Sequence, residues 1–340
     1  RENEKLLKIE KNLVSKEQEI LKQKNVLSEE QLNKKIGDLK KEFNDFQRKK
    51  RSMNEKFNKM RLDKTNQMVQ SLNNILSKYA EENDISLIIH LAAYLNIAEA
   101  EKKKRKYFKN NVGGTLNLVR ACENSGVKSI IFSSSCSVYG NINGAVKEKH
   151  KLKPKSYYAF TKFKSEKIIE KYSSKYNYNY AILRYFNVAG ASPSGKIGEI
   201  ESSHGHLIKN LAIQYYKKNP RVNIYGNDYN TKDGTCIRDY IHVTDLANIH
   251  IKALKKISSN KKSLILNCGY GKGYSVKEIV NIFKKIKKNV KVYKQNRRKG
   301  DVAQIYSDIT RLKKVLKWRP KFNNIKFILK SSINWEKNEN

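Results

Sequence analysis

"ISLIIHLAA", residues 85–93, is where the texture of the chain changes. Ile85, Leu87, Ile88 and Ile89 form a short apolar run without the alternation of a half-exposed strand, the pattern of a strand covered on both faces of a parallel sheet. Downstream stand a helical stretch, "NNVGGTLNLVRACENSG" (110–126), a strand, "SIIFSSS" (129–135), a helix opened by "SYYAFTK" (156–162) and a strand, "YAILRYFN" (180–187). Strands that alternate with helices predict an α/β fold around a parallel sheet. Beyond residue 200 the pattern is more irregular, as expected of a small α/β substrate-binding part.

Upstream the pattern is different. Residues 1–80 contain no proline and one glycine, Gly37. Leu32, Ile36, Leu39, Phe43, Phe46, Met53, Phe57 and Met60 recur by threes and fours, a heptad seam interrupted by Lys50. The register then slips to Met68, Leu72, Ile75 and Tyr79. Such a helix cannot bury its seam alone, so it is expected to pair with another copy or fold back. Three segments follow: a coiled-coil helical segment over 1–84, a nucleotide-binding part over 85–190 and a substrate-binding part over 191–340.

The 71 Lys and Arg against 32 Asp and Glu give a net charge of +39. Residues 1–90 carry only +5 of it, so the helical segment is not a basic arm of the kind that grips nucleic acid. The rest is read as solvated surface, able to draw in an anionic substrate. Four separated cysteines (Cys122, Cys136, Cys236, Cys268) without a CxxC pair fit reduced thiols, hence a cytoplasmic protein. No segment is apolar and long enough to span a membrane. The chain opens on Arg1 and its first methionine is Met53, so this start is not expected to be the native one.

Tyr158 and Lys162 lie one helical turn apart and face the same way. A tyrosine hydroxyl, with an ordinary pKa of about 10, is a weak base at neutral pH, and a neighbouring ammonium favours its phenolate. By itself Y-x-x-x-K is a weak signal in a chain rich in both residues. Its context is "FSSSCSVYG" (132–140), "RYFNVAGA" (184–191) and the long "GNDYNTKDGTCIRDYIHVTDLA" (226–247).

In these motifs the chain from Ile85 to Trp335 resembles the extended short-chain dehydrogenase/reductase family, and within it the UDP-glucose 4-epimerases. The resemblance implies an NAD-dependent isomerase that interconverts UDP-glucose and UDP-galactose through a 4-keto sugar. It implies a catalytic set of Ser135, Tyr158 and Lys162. Cofactor contacts would come from Ala92, Ala93, Asn110, Ser134 and Tyr185 together with Tyr158 and Lys162. Substrate contacts would come from Asn187, His206, Leu207, Tyr225, Arg238, Arg298 and Asp301, the guanidinium forks suiting diphosphate oxygens. No metal is implied, and a homo-oligomer is expected. Blander readings stay open: Arg298 in "NRRKGD" as a solvated face, Tyr185 as a core aromatic, His206 as a surface histidine. Relatives that dehydrate their sugars carry an Asp–Glu pair where this chain reads Ser-Ser-Cys-Ser (134–137), which favours epimerisation. Another sugar-nucleotide enzyme of the same family would differ only in substrate.

Residues 10–89, through "LSEEQLNKKIGDLKKEFNDFQRKK" (27–50) and "NNILSKYAEENDISLII" (73–89), resemble the helices of Skp-like periplasmic chaperones. The second functional reading is therefore a coiled-coil chaperone or oligomerisation protein carrying an inactive epimerase remnant. The family's G-x-x-G-x-x-G turn, which seats the pyrophosphate on a helix N-terminus, has no counterpart before Gly113. Leu95 and Ile305 replace a lysine and a tyrosine common in the family. The fold expected is thus a truncated NAD(P)-binding Rossmann-like domain lacking its first strands, fused at "ISLII" to a long coiled coil, with doubtful activity.

Overall fold

The computed structural model describes the chain except residues 1, 24–26, 83–84, 124, 201–205, 261, 299 and 340, and except the side chains at 2–5, 7–8, 57–81, 260 and 338–339. The chain divides into two compact units, residues 1–72 and 73–340.

The first unit is built from α1 (Glu2–Lys22) and α2 (Glu29–Glu82), the latter running on into the second unit. At the start of α2, Ser28 and Gln31 satisfy each other's backbone N–H, the reciprocal cap of an S-x-x-Q sequence. The two helices are antiparallel: Lys16 meets Glu42 at 2.7 Å, Lys35 donates to Gln23 at 2.7 Å, and Lys50 meets Glu10 at 3.0 Å. Leu13 and Phe46 are buried in this unit, while Phe43 is half-exposed. Lys50, the interruption of the seam, lies over the Phe46 ring with its ammonium on Glu10. Of the two expectations for the seam, pairing with another copy or folding back, the described residues show the second: α1 covers part of the α2 stripe from within the same chain. The seam positions from Phe57 to Tyr79 lie outside the described side chains.

The second unit is organised by a parallel sheet of β1 (Leu87–His90), β2 (Ser129–Ser135), β4 (Asn179–Tyr185) and β8 (Leu264–Cys268), in the order β1-β2-β4-β8. Short β3 (Gly144–Val146) belongs to another sheet. Between β1 and β2 run α3 (Ile97–Lys102), α4 (Lys104–Tyr107), a π-helical stretch (Phe108–Gly113) and α5 (Gly114–Ala121). Helix α6 (Tyr157–Lys175) crosses from β2 to β4.

Both sheet faces are covered, which explains the unbroken apolar runs. Alternate residues point to opposite faces. Ile131, Ala181 and Leu183 pack with Ile249, Ala253, Leu312 and Trp318. Ile130, Phe132 and Ile182 pack with Val119 and Ile169 on the other side. Each buried Val, Leu, Ile or Phe side chain among them contributes about 1.5–3 kcal/mol.

The remaining strands are β5 (Asn187–Ala189), β6 (Arg221–Tyr225), β7 (Ile237–His242), β9 (Gly273–Ser275), β10 (Lys291–Gln295) and β11 (Gln304–Ser307). They form a sheet β3-β11-β7-β5, with β9 antiparallel on β7, and a parallel pair β10-β6. Helices α7 (Leu207–Tyr215), α8 (Val243–Asn260), α9 (Val276–Ile286), α10 (Thr310–Leu316) and α11 (Ile325–Glu339) complete the unit. Alpha-7, α9 and α11 share a core containing Leu211, Phe283 and Leu329. The buried Asp239 carboxylate ties β7 to its neighbours by accepting from Tyr270 N, Gly271 N and Ser307 N at 2.9–3.1 Å. Position 269 must be glycine there, since a Cβ would stand 2.4 Å from Asp239 Oδ2.

Candidate active site

The carboxyl ends of β2 and β4 lie level, with Ser135 paired to Tyr185, and β8 ends beside them at Cys268. Helix α6 starts close by. Ser156 caps it through Ala159 N, and Glu101 accepts from Tyr157 N at 2.6 Å. Tyr158, Lys162 and Glu166 then fall on its buried face at successive turns.

Tyr158 lies close enough to the Ser135 hydroxyl for it to favour the phenolate. Ser137 holds that serine, its N–H and hydroxyl reaching Ser135 Oγ at 3.2 and 3.0 Å. Lys162 donates from Nζ to Ser133 O at 2.6 Å and sits 4.9 Å from the Phe132 ring centroid. Ser134 turns its hydroxyl away from the crevice to Glu166. Thus the three predicted catalytic residues come together.

Their electrostatics differ from the sequence expectation. Burial pushes the Tyr158 hydroxyl well above its ordinary value, with the Ser135 hydroxyl acting in the opposite direction. Burial also lowers Lys162 to about 8, partly offset by the Glu166 carboxylate. The ammonium is committed to Ser133 O, and desolvation of the phenol outweighs the lowering that the one-turn spacing suggested.

Of the other predicted cofactor positions, Ala92 and Ala93 follow the end of β1, where open α/β sheets place their ligand crevice. Asn110 is exposed on the π-helical stretch and donates to Asn111 Oδ1 at 3.0 Å. The wider π turn lets the buried Asn111 reach Tyr94 O and Thr161 Oγ1, both at 3.1 Å. Tyr185 donates to His250 Nε2 at 2.6 Å.

Sequence reasoning missed His90, buried at the end of β1 with Nε2 2.9 Å from Thr115 Oγ1. Burial, with the Lys162 charge, lowers its pKa to about 4. Arg184 was missed as well: it grips Glu166 through Nε at 3.0 Å and Nη2 at 2.7 Å. Glu166 was legible at four residues beyond Lys162; Arg184 had no local signal.

Four of the predicted substrate residues cluster. Arg298 lies over the Tyr225 ring at 3.9 Å, Arg238 Nη2 is 3.5 Å from Asp301 Oδ1, and Asp301 N donates to Arg298 O at 3.2 Å. Arg238 also acts electrostatically on Cys136, the residue after Ser135, which links this cluster to the catalytic set. Asn187 lies on β5, paired with Tyr240. His206, exposed, bonds Glu199 at 2.7 Å and precedes Leu207 at the head of α7.

A parallel sheet with its reactive tyrosine–lysine couple at the strand ends defines the nucleotide-dependent α/β enzymes. Comparison narrows the class. Residues 40–269 match the NAD dependent epimerase/dehydratase family. A UDP-glucose 4-epimerase of Azospirillum brasilense is 34% identical over 265 residues, 77% of this chain and 76% of that protein. The solved UDP-glucose 4-epimerase of Stenotrophomonas maltophila, with bound NAD and formylated UDP-arabinopyranose, is 31% identical with a TM-score of 0.74, over 78% of this chain and 80% of its own. That of Bifidobacterium longum, in complex with NAD+ and UDP, is 32% identical with a TM-score of 0.70 over the same shares. The chain belongs to the NAD-dependent epimerase/dehydratase family.

The fold class read from the sequence is corrected by these matches. The chain carries the Rossmann-fold epimerase domain, matched over four-fifths of a solved relative, and not a truncated remnant behind a coiled coil. Among the described residues β1 is the first strand, and the sheet β1-β2-β4-β8 is held by helices packed on it without a glycine turn before Gly113. The family match also begins at residue 40, inside the segment compared with chaperone helices.

NAD is the family's cofactor, and the residues present fit its nicotinamide end. Among the described residues Ser133 O is the acceptor of Lys162 Nζ, so the ammonium has donors left for hydroxyl oxygens. The pyrophosphate end has no glycine turn in residues 1–112; Gly37 lies within α2.

Proposed function

We propose that this chain is a UDP-sugar 4-epimerase acting on UDP-glucose and UDP-galactose. The carrying observation is the Ser135–Tyr158 contact with Lys162 one turn on, at the carboxyl ends of the sheet strands. Tyr158 takes the proton of the sugar 4-hydroxyl, and Ser135 holds the same oxygen. Lys162 places positive charge beside Tyr158 and so favours the phenolate that accepts this proton. NAD, when bound, supplies the acceptor and then the donor of a hydride at C4. Burial holds the resting Tyr158 as the phenol, so the forward step needs the phenolate, which Lys162 and the positive nicotinamide of bound NAD would favour. The proton Tyr158 then takes from the 4-hydroxyl is the one it returns to the 4-keto oxygen.

Residues 85–190 take NAD in this reading, through Ala92, Ala93, Asn110, Ser134 and Tyr185. Residues 191–340 supply much of the UDP-sugar site, through His206, Leu207, Tyr225, Arg238, Arg298 and Asp301, with Asn187 just ahead of them. Without a glycine turn, affinity for NAD is expected to fall below that of relatives that have one. We further expect a homo-oligomer, which light scattering measures.

The test is conversion of UDP-galactose to UDP-glucose by the purified chain supplied with NAD. Formation of UDP-glucose, abolished by Tyr158→Phe, supports the proposal. A folded, NAD-loaded protein that leaves UDP-galactose unchanged overturns it.

A further inference from the structure

Three consecutive serines at the end of β2 dock on three successive turns of α6. Ser135 meets Tyr158, Ser133 O accepts from Lys162, and Ser134 donates to Glu166. The middle contact joins Ser134, read above as a cofactor position, to a carboxylate given no substrate or cofactor role, and it is the most buried of the three: Glu166 is 0% and Ser134 2% exposed. Arg184, on the adjacent β4, closes it with two hydrogen bonds to the Glu166 carboxylate. The same guanidinium donates from Nη1 to Tyr139 Oη at 2.9 Å and to Glu148 O at 3.3 Å.

We propose that Glu166 is a positioning residue for the reaction: by binding Ser134 and Arg184 it locks the end of β2 to α6, so that Ser135 and Ser133 are presented to Tyr158 and Lys162. The inference rests on the tyrosine–lysine reading given above. A buried carboxylate is costly to hold in a fold, and two neutral groups could join strand to helix without it. Its charge has a second effect at this place. Glu166 sits one turn from Lys162 and acts electrostatically on its ammonium. The other groups around Lys162 are His90 from β1, on which it acts electrostatically, the Phe132 ring and Ser133 O from β2, Tyr158 from its own helix, and Arg184 from β4 behind Glu166. Among these described neighbours Glu166 is the carboxylate.

The experiment compares the full chain with Glu166→Gln, Glu166→Asp and the double variant Glu166→Gln/Arg184→Gln. The double variant removes both charges, so it keeps the test valid if the single change leaves Arg184 unpaired and the protein fails to fold. Near-ultraviolet circular dichroism selects the folded variants. Loss of Glu166 is expected to lower kcat about 10- to 100-fold, as misplacement of a reacting group does. The KM for UDP-galactose stays within about twofold, because no substrate contact is removed. The alkaline limb of the kcat profile moves to lower pH, since Lys162 then loses its proton sooner. Glu166→Asp restores the limb but not the full kcat.

A folded double variant with wild-type kcat and an unmoved limb overturns the proposal. If the wild-type chain itself shows no turnover, the proposed function fails while the inference is still decided, by nitrogen-15 NMR titration of the Lys162 ammonium. A midpoint lowered in Glu166→Gln or the double variant supports it, and an unchanged midpoint overturns it.

Discussion

Among the described residues the deeply buried ion pairs, Arg184–Glu166 and Lys209–Glu336, both lie in the α/β unit, and the pairs that join α1 to α2 are exposed. In residues 1–72, Lys16–Glu42 and Lys50–Glu10 join α1 to α2 with side chains 44–49% exposed. In the α/β unit, Arg184–Glu166 is 3% and 0% exposed and sits directly behind the reacting groups. Exposed pairs are weakened by solvent and contribute about 0–1 kcal/mol each. Breaking a buried pair costs about 3–5 kcal/mol, because the remaining charge has nowhere to go. Charge in the helical pair therefore adds little to its stability, whereas loss of one partner of Arg184–Glu166 leaves a buried charge beside Ser134 and behind Lys162.

The largest test of that contrast is Tyr158→Phe. It is expected to reduce epimerisation at least 10²- to 10⁴-fold while the helical circular dichroism signal is unchanged; retained turnover would separate the site from the chemistry proposed for it. Next come the two cores. Leu266→Ala, fully buried on β8, should cost about 2–5 kcal/mol in denaturant unfolding. Leu13→Ala should cost less, because the helical pair offers few buried neighbours; equal losses would break the comparison.

His90 predicts an acid-side effect. Its folded pKa, lowered by burial and the Lys162 charge to about 4 against an ordinary 6.5, means the unfolded chain binds more protons between those values. The stability it protects is complete above pH 6.5 and falls by up to about 3 kcal/mol as pH drops through that window. His90→Gln should flatten this slope in thermal melts taken between pH 4 and 7, and an unaltered slope would place the acid sensitivity elsewhere. Smallest is a double-mutant cycle on Lys16 and Glu42, expected to give a coupling below about 1 kcal/mol and to fade with salt.

How legible was all this in the sequence? Strands β1, β2 and β4 fall on the apolar runs at 85–93, 129–135 and 180–187; burial on both faces leaves that unbroken signature in β2 and β4, whereas β1 lies at the sheet's edge, with Ile89 47% exposed. The Tyr158–Lys162 couple was legible for a different reason, the 3.6-residue helical period. The short strands β3, β5, β9 and β11 were not, since three or four residues in sheets assembled across long sequence separations carry no period of their own. Arg184 was hidden for the same reason: its partner is on another element, and a strand arginine reads locally as surface. Lys50 misled in the opposite direction, looking like a flaw in the seam until Glu10 and Phe46 were seen beside it.

The helix α11 has a consequence for biosynthesis. Its Leu329 and Ile333 complete the core around α7, Glu336 pairs with the buried Lys209, and Trp335 donates to Glu199 O. More than a hundred residues separate Lys209 from Glu336, and a ribosome adding roughly 5–20 residues per second needs on the order of ten seconds to span them. During that interval the emerging polypeptide exposes the greasy flank of α7 with no cover. Newly made chains should be most vulnerable to chaperone capture and proteolysis then, in a window that opens after β1, β2 and β4 have been made but while the sheet still waits for β8.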